Sequence, residues 1–153
     1  MTKQSEVLMQ QRLFTLSTVT LVAAVLCACS SSSSASPRGT LPAGTAKVAI
    51  NARDIPEASG VKCTAVDSLT TITIGTAAAG TTAVVSSEKS LVARSVTISD
   101  VGGFTGSYME GLAGKADVSL IDQTYLIRGS AEGFDNDNPS SRATGTFTIR
   151  VGC

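Results

Sequence analysis

From Ala46 to the last residue, apolar and polar side chains alternate in short runs that Gly, Asp, Asn and Ser separate. Alternation with a period of two puts successive side chains on opposite faces of a strand, whereas a helix needs a period of about 3.6 residues. No helical period persists here for three turns. The last run is the clearest, because Phe147, Ile149, Val151 and Cys153 share one face. The pattern predicts an all-β domain.

The alternating runs predict nine strands, over residues 47–51, 61–66, 70–75, 81–86, 92–99, 106–110, 115–121, 124–130 and 146–153. Asp122-Gln123 lies between two runs and predicts a tight hairpin, and residues 100–103 predict a second turn. Such spacing favours an antiparallel sandwich or a partly open barrel over folds with crossover helices, and it does not choose between those two. Residues 136–143 are expected to form either one short helical turn or an irregular loop.

An apolar run over residues 13–26 follows a basic residue and ends in small residues before a cysteine. Such a run predicts a secretory signal peptide, here of the lipoprotein type. Leu26 stands three residues before Cys29 and Ala28 stands just before it, whereas cleavage before Cys27 would place the bulky Leu26 at the cut. The alternative is a retained spanning helix, but the run is shorter than the roughly 20 apolar residues that a bilayer core needs.

The chain therefore divides into three predicted parts. Residues 1–28 are a lipoprotein signal peptide. Residues 29–45 contain the lipidated Cys29 and a flexible tether rich in Ser, Pro and Gly, which lacks the apolar periodicity of a packed element. Residues 46–153 form the β domain. Acyl chains on Cys29 would anchor the protein to a cell membrane, on its extracytoplasmic face.

Two cysteines remain once Cys27 leaves with the signal and Cys29 is lipidated. Because exported proteins keep disulfides, we predict that Cys63 and Cys153 are joined. Closing so long a loop would stabilise the fold by about 4–5 kcal/mol in the loop-entropy description. The alternative is a pair of separate buried thiols.

The sequence contains no histidine, which excludes Ser-His-Asp and Cys-His nucleophile activation and the usual zinc sites. Ten basic and eleven acidic residues follow residue 28, so the exported part is close to neutral. Nucleic-acid binders concentrate positive charge on one face, and nothing here predicts such a partner. We expect no enzyme, no metal and no cofactor.

The densest polar cluster lies at residues 132–139, with three carboxylates and two amides in seven positions. Calcium binds oxygens of these kinds, but Pro139 follows Asn138 where an EF-hand loop would continue. An acidic turn held by Asx hydrogen bonds is the favoured interpretation. A catalytic site would need a carboxylate pair such as Asp135 and Asp137.

Three further motifs have ordinary structural explanations. Arg94 shares parity with Val96 and Ile98, so it either points inward, where it would hold an anion, or reaches water from an edge strand. Residues 102–106 lack the strand-to-helix context of a phosphate loop and predict a β-turn with a bulge. The serine and lysine within residues 86–89 predict a solvated turn rather than a catalytic dyad.

Several stretches together resemble the nineteen-kilodalton lipoprotein antigen family of mycobacteria. They are Val61-Lys-Cys63-Thr64, Ile72-Thr-Ile74-Gly75, Ala79-Gly80, Arg94-Ser95-Val96, Gly133-Phe-Asp135, Asn138-Pro139 and the closing Phe147-Thr-Ile149-Arg-Val151-Gly-Cys153. The resemblance implies a cell-envelope lipoprotein acylated at Cys29, with sugar on the tether. It also implies recognition of the acylated amino terminus by host innate receptors of the Toll-like type, and adhesion to host cells. The departures are Cys27 beside the acylation site and a tether poorer in threonine.

The leading functional hypothesis is a lipid-anchored β domain that acts as a surface antigen or an adhesin-like binding module, without catalysis. Its expected partners are the membrane, through Cys29, and host receptors or envelope lipids. The alternative is a carrier that holds a lipid or a small apolar ligand in a partly open barrel, and a large apolar concavity would favour it. The sequence names no ligand-binding residue for either hypothesis.

Overall fold

The structure is a computed structural model that describes residues 39–56 and 60–153. The predictions for the signal peptide, for Cys29 and for the first part of the tether lie outside the described residues. Within them, no helix occurs, and none is therefore long and apolar enough to cross a membrane.

The described chain folds into antiparallel β-strands, as the alternation predicts. Their bounds are β1 (Ala46–Ile50), β2 (Arg53–Ile55), β3 (Val61–Val66), β4 (Leu69–Gly75), β5 (Gly80–Ser86), β6 (Val92–Val101), β7 (Phe104–Met109), β8 (Lys115–Ile121), β9 (Thr124–Asp135) and β10 (Ala143–Gly152).

All of these strands belong to one sheet, in the order β2-β1-β10-β9-β7-β6-β5-β4-β3, and β8 pairs with β9 outside this path. Strand β9 is long enough to pair with two strands, β7 and β8, along the same edge. Its residues 132–135 pair with β7, and its residues 124–130 pair with β8. A disulfide joins β3, at the end of the sheet order, to the residue that follows β10, so the sheet must curl back on itself. The all-β prediction is confirmed. Of the two predicted architectures, the sheet forms the curled, partly open barrel.

Each of the nine predicted strands is present, with ends that differ by a few residues. The prediction omitted β2, whose three residues are too few to show an alternation. It also ended the strand that became β9 at Ser130, whereas pairing continues to Asp135 between β7 and β10. The prediction of an acidic turn at residues 132–139 is therefore wrong for residues 132–135, which belong to β9. Residues 136–142 form turns and contain no helical turn.

The inner face of the curled sheet carries the core. Its side chains are mostly Ile and Val, and those with the lowest exposure include Ile50, Ile72, Ile74, Val85, Val96, Ile98, Phe104, Ile127, Ile149 and Val151. These positions follow the period-two parity of their strands, which is why burial was readable from the sequence. The core therefore depends on many medium-sized side chains rather than on large aromatic ones.

Phe104 is the main exception, a ring that is 1% exposed at the start of β7. It lies over two glycines, Gly106 on β7 itself and Gly145 on β10. A Cβ atom at Gly145 would come 2.7 Å from the ring, and so would one at Gly106. Distances below about 3.0 Å are too short for carbon atoms in contact, so both strands need glycine beneath this ring.

Candidate functional site: the two rims of the barrel

One rim of the barrel is organised by the disulfide between Cys63 and Cys153, whose Cα atoms lie 5.8 Å apart. The predicted bridge is therefore present. The backbone N–H of Cys153 also donates to the carbonyl of Gln123, at 2.8 Å, in the β8–β9 turn. Tyr125 Oη donates to Thr70 Oγ1 across the interior at 3.4 Å. We call this end, with the turns at 67–68 and 122–123, the disulfide rim.

The chain enters the domain at the disulfide rim. The backbone N–H of Leu41 donates to Thr124 Oγ1 at 2.8 Å. Gly44 N–H donates to the Gly152 carbonyl at 2.9 Å, and Gly152 N–H donates to the Thr45 carbonyl at 2.9 Å. The segment just before β1 is thus hydrogen-bonded to the ends of β9 and β10.

Four large apolar side chains flank the two turns of this rim and are exposed. Val66 and Leu69 lie on either side of the Asp67-Ser68 turn, and Leu120 and Ile121 precede the Asp122-Gln123 turn. Asp67 and Asp122 adopt positive φ angles of 52° and 54°, a conformation that aspartate tolerates better than most residues. The aspartates account for the shape of the two turns. The four exposed apolar side chains beside them are not required by that shape.

The opposite rim contains an open cavity of about 330 Å³, and we call this end the cavity rim. Its walls come from β1 and β2, from the β4–β5 turn and from the β6–β7 turn. The residues are Val48, Ile55, Pro56, Ile74, Gly75, Thr76, Ala79, Gly80, Thr81, Asp100, Val101 and Gly102. The volume lies near the lower end of the range of roughly 300–1,000 Å³ that ligand pockets occupy.

Thr81 gives this cavity its one unusual polar feature. The side chain is 3% exposed, and its Oγ1 has no hydrogen-bond partner among the described residues. Buried hydroxyls normally have a partner, because an unpaired one costs about 1–3 kcal/mol. The sequence did carry a signal for this position, because Thr81 is the polar member of an inward-facing set with Ala83 and Val85.

The acidic residues noted in the sequence lie at the cavity rim, where hydrogen bonds tie the β6–β7 and β9–β10 connections together. Asn136 Nδ2 donates to Asp100 Oδ1, and Thr105 Oγ1 donates to Asn136 Oδ1 at 3.0 Å. Asp135 and Asp137 line an adjoining polar cleft of about 450 Å³. No three His, Cys, Asp or Glu side chains converge as a metal site in the part of the chain that the structure describes.

Arg94 lies on the outside of the barrel, although its parity had allowed an inward position. A β-bulge shifts the β5–β6 register, with Val84 opposite Ser95 and Val85 opposite Ala93, so Arg94 is the extra residue. Its guanidinium forms an exposed ion pair with Glu110, with Nη1 and Oε2 2.6 Å apart. Strand β6 is also not an edge strand, because it pairs with both β5 and β7.

The solvated turn predicted at residues 86–89 is present from Ser87 onward, where the side chains are exposed. Ser86 is buried, and its Oγ accepts a hydrogen bond from the Glu88 backbone at 3.4 Å, while Lys89 is exposed. The glycine-rich segment at 102–106 forms the turn and bulge expected of it, with the β6–β7 register shifting between Ile98 and Val101. Gly102 and Gly103 have φ angles of 61° and 78°, which favour glycine.

The whole β domain is similar in sequence to known proteins. The sequence model of the Mycobacterium 19 kDa lipoprotein antigen family matches residues 39–153. A protein named putative lipoprotein, from Mycobacterium avium subsp. hominissuis, is 36% identical over 146 residues, which cover 95% of this chain and 97% of the relative.

Proteins named lipoprotein LpqH are also similar to this chain. The one from Mycobacterium tuberculosis is 34% identical over 108 residues, which cover 70% of this chain and 68% of the relative. The one from Mycobacterium avium is 33% identical over 147 residues, with 87% of this chain and 91% of the relative covered.

Proposed function

Since the chain belongs to the Mycobacterium 19 kDa lipoprotein antigen family, we propose that it is anchored to the cell membrane by acyl chains on Cys29. Membership of the family confirms the resemblance seen in the sequence. In this proposal the β domain is displayed on the extracytoplasmic face as a surface antigen or binding module and performs no catalysis.

The match that carries this proposal is the one to the putative lipoprotein of M. avium subsp. hominissuis. Because it covers 95% of this chain, it spans the segment that contains Cys29 as well as the β domain. The lipoprotein signal pattern of Leu26, Ala28 and Cys29 therefore lies within a region of similarity to a protein that bears the name lipoprotein. Each buried methylene of an acyl chain contributes about 0.8 kcal/mol, so two or three chains hold a protein firmly.

Intact mass of protein from its native envelope tests the anchor directly. The expected mass is that of residues 29–153 plus acyl chains, with a gain of two hydrogens on reduction of the disulfide. Cys29→Ser should abolish acylation, while the matched control Cys27→Ser should be acylated and processed normally. Acylation of Cys29→Ser, or a native protein that keeps residues 1–28, would contradict the proposal.

We propose further that host innate receptors of the Toll-like type recognise the acylated amino terminus, as the family resemblance implies. Reporter cells that carry such a receptor should respond to the acylated protein and not to Cys29→Ser. A response that survives in Cys29→Ser would instead assign recognition to the β domain.

The cavity supports a second candidate, a carrier for a small, mostly apolar ligand. Val48, Ile55, Ile74 and Val101 provide an apolar wall, and Thr81 belongs to the same lining, with its unpartnered hydroxyl oxygen buried from solvent. Pockets for small ligands are commonly lined by apolar side chains in this way. The ligand class favoured here is a small molecule with an apolar body.

Binding of a dansyl-labelled fatty acid tests the carrier. Ala79→Phe places a large ring at the exposed part of the cavity wall and should weaken binding, while Ala78→Phe adds the same ring to the same turn outside the lining. Equal binding by both variants and by the wild type would place the probe elsewhere and remove the carrier hypothesis for this cavity.

A further inference from the structure

Exposed apolar side chains are distributed unevenly over the barrel. Of the large hydrophobic residues exposed in the described chain, four flank the two turns of the disulfide rim: Val66, Leu69, Leu120 and Ile121, with exposures of 63%, 44%, 43% and 48%. The other two, Met109 and Leu112, lie at or after the end of β7. The turns of the cavity rim contain none and instead have exposed carboxylates, among them Asp100, Asp135 and Asp137.

The two apolar pairs lie close together because of the disulfide. Cys63 precedes Val66 by three residues, and its bridge leads to Cys153, whose N–H bonds to Gln123 in the turn after Ile121. The contact from Tyr125 to Thr70, the residue after Leu69, joins the same two hairpins a second time. The four side chains thus belong to one end of the barrel rather than to two separate surfaces.

We propose that the disulfide rim rests on the surface of the membrane in which Cys29 is anchored. This inference depends on the acylation proposed above. Its structural basis is that Leu41 is bonded to Thr124 at this same rim, so the tether reaches the domain beside the four apolar side chains.

The length of the tether favours this rim over the other. The twelve peptide units from Cys29 to Leu41 span at most about 40 Å when fully extended. Strand β9 alone has 12 residues and is roughly 40 Å long, or about 30 Å along the barrel axis once strand tilt is included, so the far end of the barrel meets the membrane only when most of the tether is stretched along the barrel. When the tether is less extended, it is the disulfide rim that can contact the membrane.

The charges of the rim define the kind of membrane contact. Asp67 and Asp122 lie at the tips of the two turns and are exposed, and the exposed Glu88 and Lys89 on the adjoining β5–β6 connection offset each other, so attraction to anionic headgroups does not drive the contact. The apolar pairs beside them enter the boundary between headgroups and acyl chains only shallowly, leaving the carboxylates in water. The contact should therefore form on neutral phosphatidylcholine and should not strengthen with anionic lipid.

Methyl NMR of the acylated full-length mature protein in phosphatidylcholine nanodiscs tests the orientation. A nitroxide on the lipid headgroup broadens the signals of nearby methyl groups. The methyls of Val66, Leu69, Leu120 and Ile121 should lose most of their intensity, while those of Ile55 and Val101, which line the cavity, should keep theirs.

Uniform broadening, or stronger broadening at Val101, would overturn the proposal. So would unchanged rim signals together with a dimer in sedimentation, because a second copy would then cover the four side chains. Replacing all four with Ser should reduce the broadening at Leu41, whose methyls remain at this rim, while Leu112→Ser should leave it unchanged. Failure of acylation itself is recognised separately, since intact mass would lack acyl chains and the protein would not remain with the nanodiscs.

Discussion

Removing the disulfide tests how much of this domain's stability depends on a covalent link between distant parts of the sheet. Cys63 and Cys153 are 90 residues apart in sequence, and six strand pairings separate β3 from β10 in the sheet order. The relevant variant replaces both cysteines by Ala, so that no free thiol remains.

The expected loss follows from the length of the closed loop. In the loop-entropy description, a loop of this size lowers the unfolded chain's entropy enough to stabilise the fold by about 4–5 kcal/mol at 25 °C. Single domains are stable by about 5–15 kcal/mol in total, so the variant should retain only part of its stability. At about 4 °C per kcal/mol for a domain of this size, the melting temperature should fall by roughly 15–20 °C.

Urea unfolding of the wild type and the double variant measures this loss. The slope of the free energy against urea should increase in the variant, because its unfolded chain exposes more surface without the cross-link. Reduction of the wild type under the same conditions is the control and should reproduce both changes. A loss below about 1 kcal/mol with an unchanged slope would refute the reasoning from the unfolded state. Rapid amide exchange confined to β3 and β4 would then show that the bridge acts only locally.

Three other substitutions have expected outcomes that thermal or urea unfolding can check. Thr81→Val removes an unpaired buried hydroxyl at constant shape and should raise the stability of the ligand-free protein by about 1 kcal/mol; a loss would mean that the hydroxyl has a partner. Gly145→Ala should lower stability by about 1–3 kcal/mol, because its Cβ would contact the Phe104 ring at 2.7 Å, and Phe104→Leu should relieve part of that cost. Tyr108→Phe should cost about 1 kcal/mol near neutral pH, because Tyr108 Oη donates to the Ala93 carbonyl at 3.1 Å. Burial, followed by the nearby carboxylates, raises the pKa of Tyr108 above its ordinary value of 10.0, so its stabilisation is complete below that pH and is lost as pH rises through the folded pKa. The wild type should therefore lose its advantage over Tyr108→Phe in alkaline solution, and a pH-independent difference would contradict this.

The sequence predicted the strands well because one face of each strand is buried, and burial imposes a period of two that survives in the residue order. The hairpin at Asp122 was predictable for a second reason. A two-residue hairpin turn needs positive φ angles, and Asp tolerates such a conformation. Both signals are local, so they can be recognised without knowledge of the partner strands.

The features that the sequence did not predict depend on neighbouring strands. The bulge that turns Arg94 outward is a mismatch between β5 and β6, and nothing within β6 alone reveals it. The extension of β9 through Gly133 depends on β7, because a Cβ atom at that position would collide with the carbonyl of Thr105. The cavity is likewise a property of how the sheet curls, so its lining residues are far apart in sequence.

The two rims together constrain how a carrier could work in this protein. If the disulfide rim rests on the membrane, the cavity faces away from it, beyond a β9 strand of 12 residues. A ligand taken from the anchoring membrane would then have to leave the bilayer before it could reach the cavity. A carrier with this geometry would load from the space outside that membrane, or from a second surface facing it. Transfer of a dansyl-labelled fatty acid to the anchored protein should therefore be faster from separate vesicles than from its own bilayer. The opposite order of rates would mean that the orientation or the binding cavity has been assigned to the wrong rim.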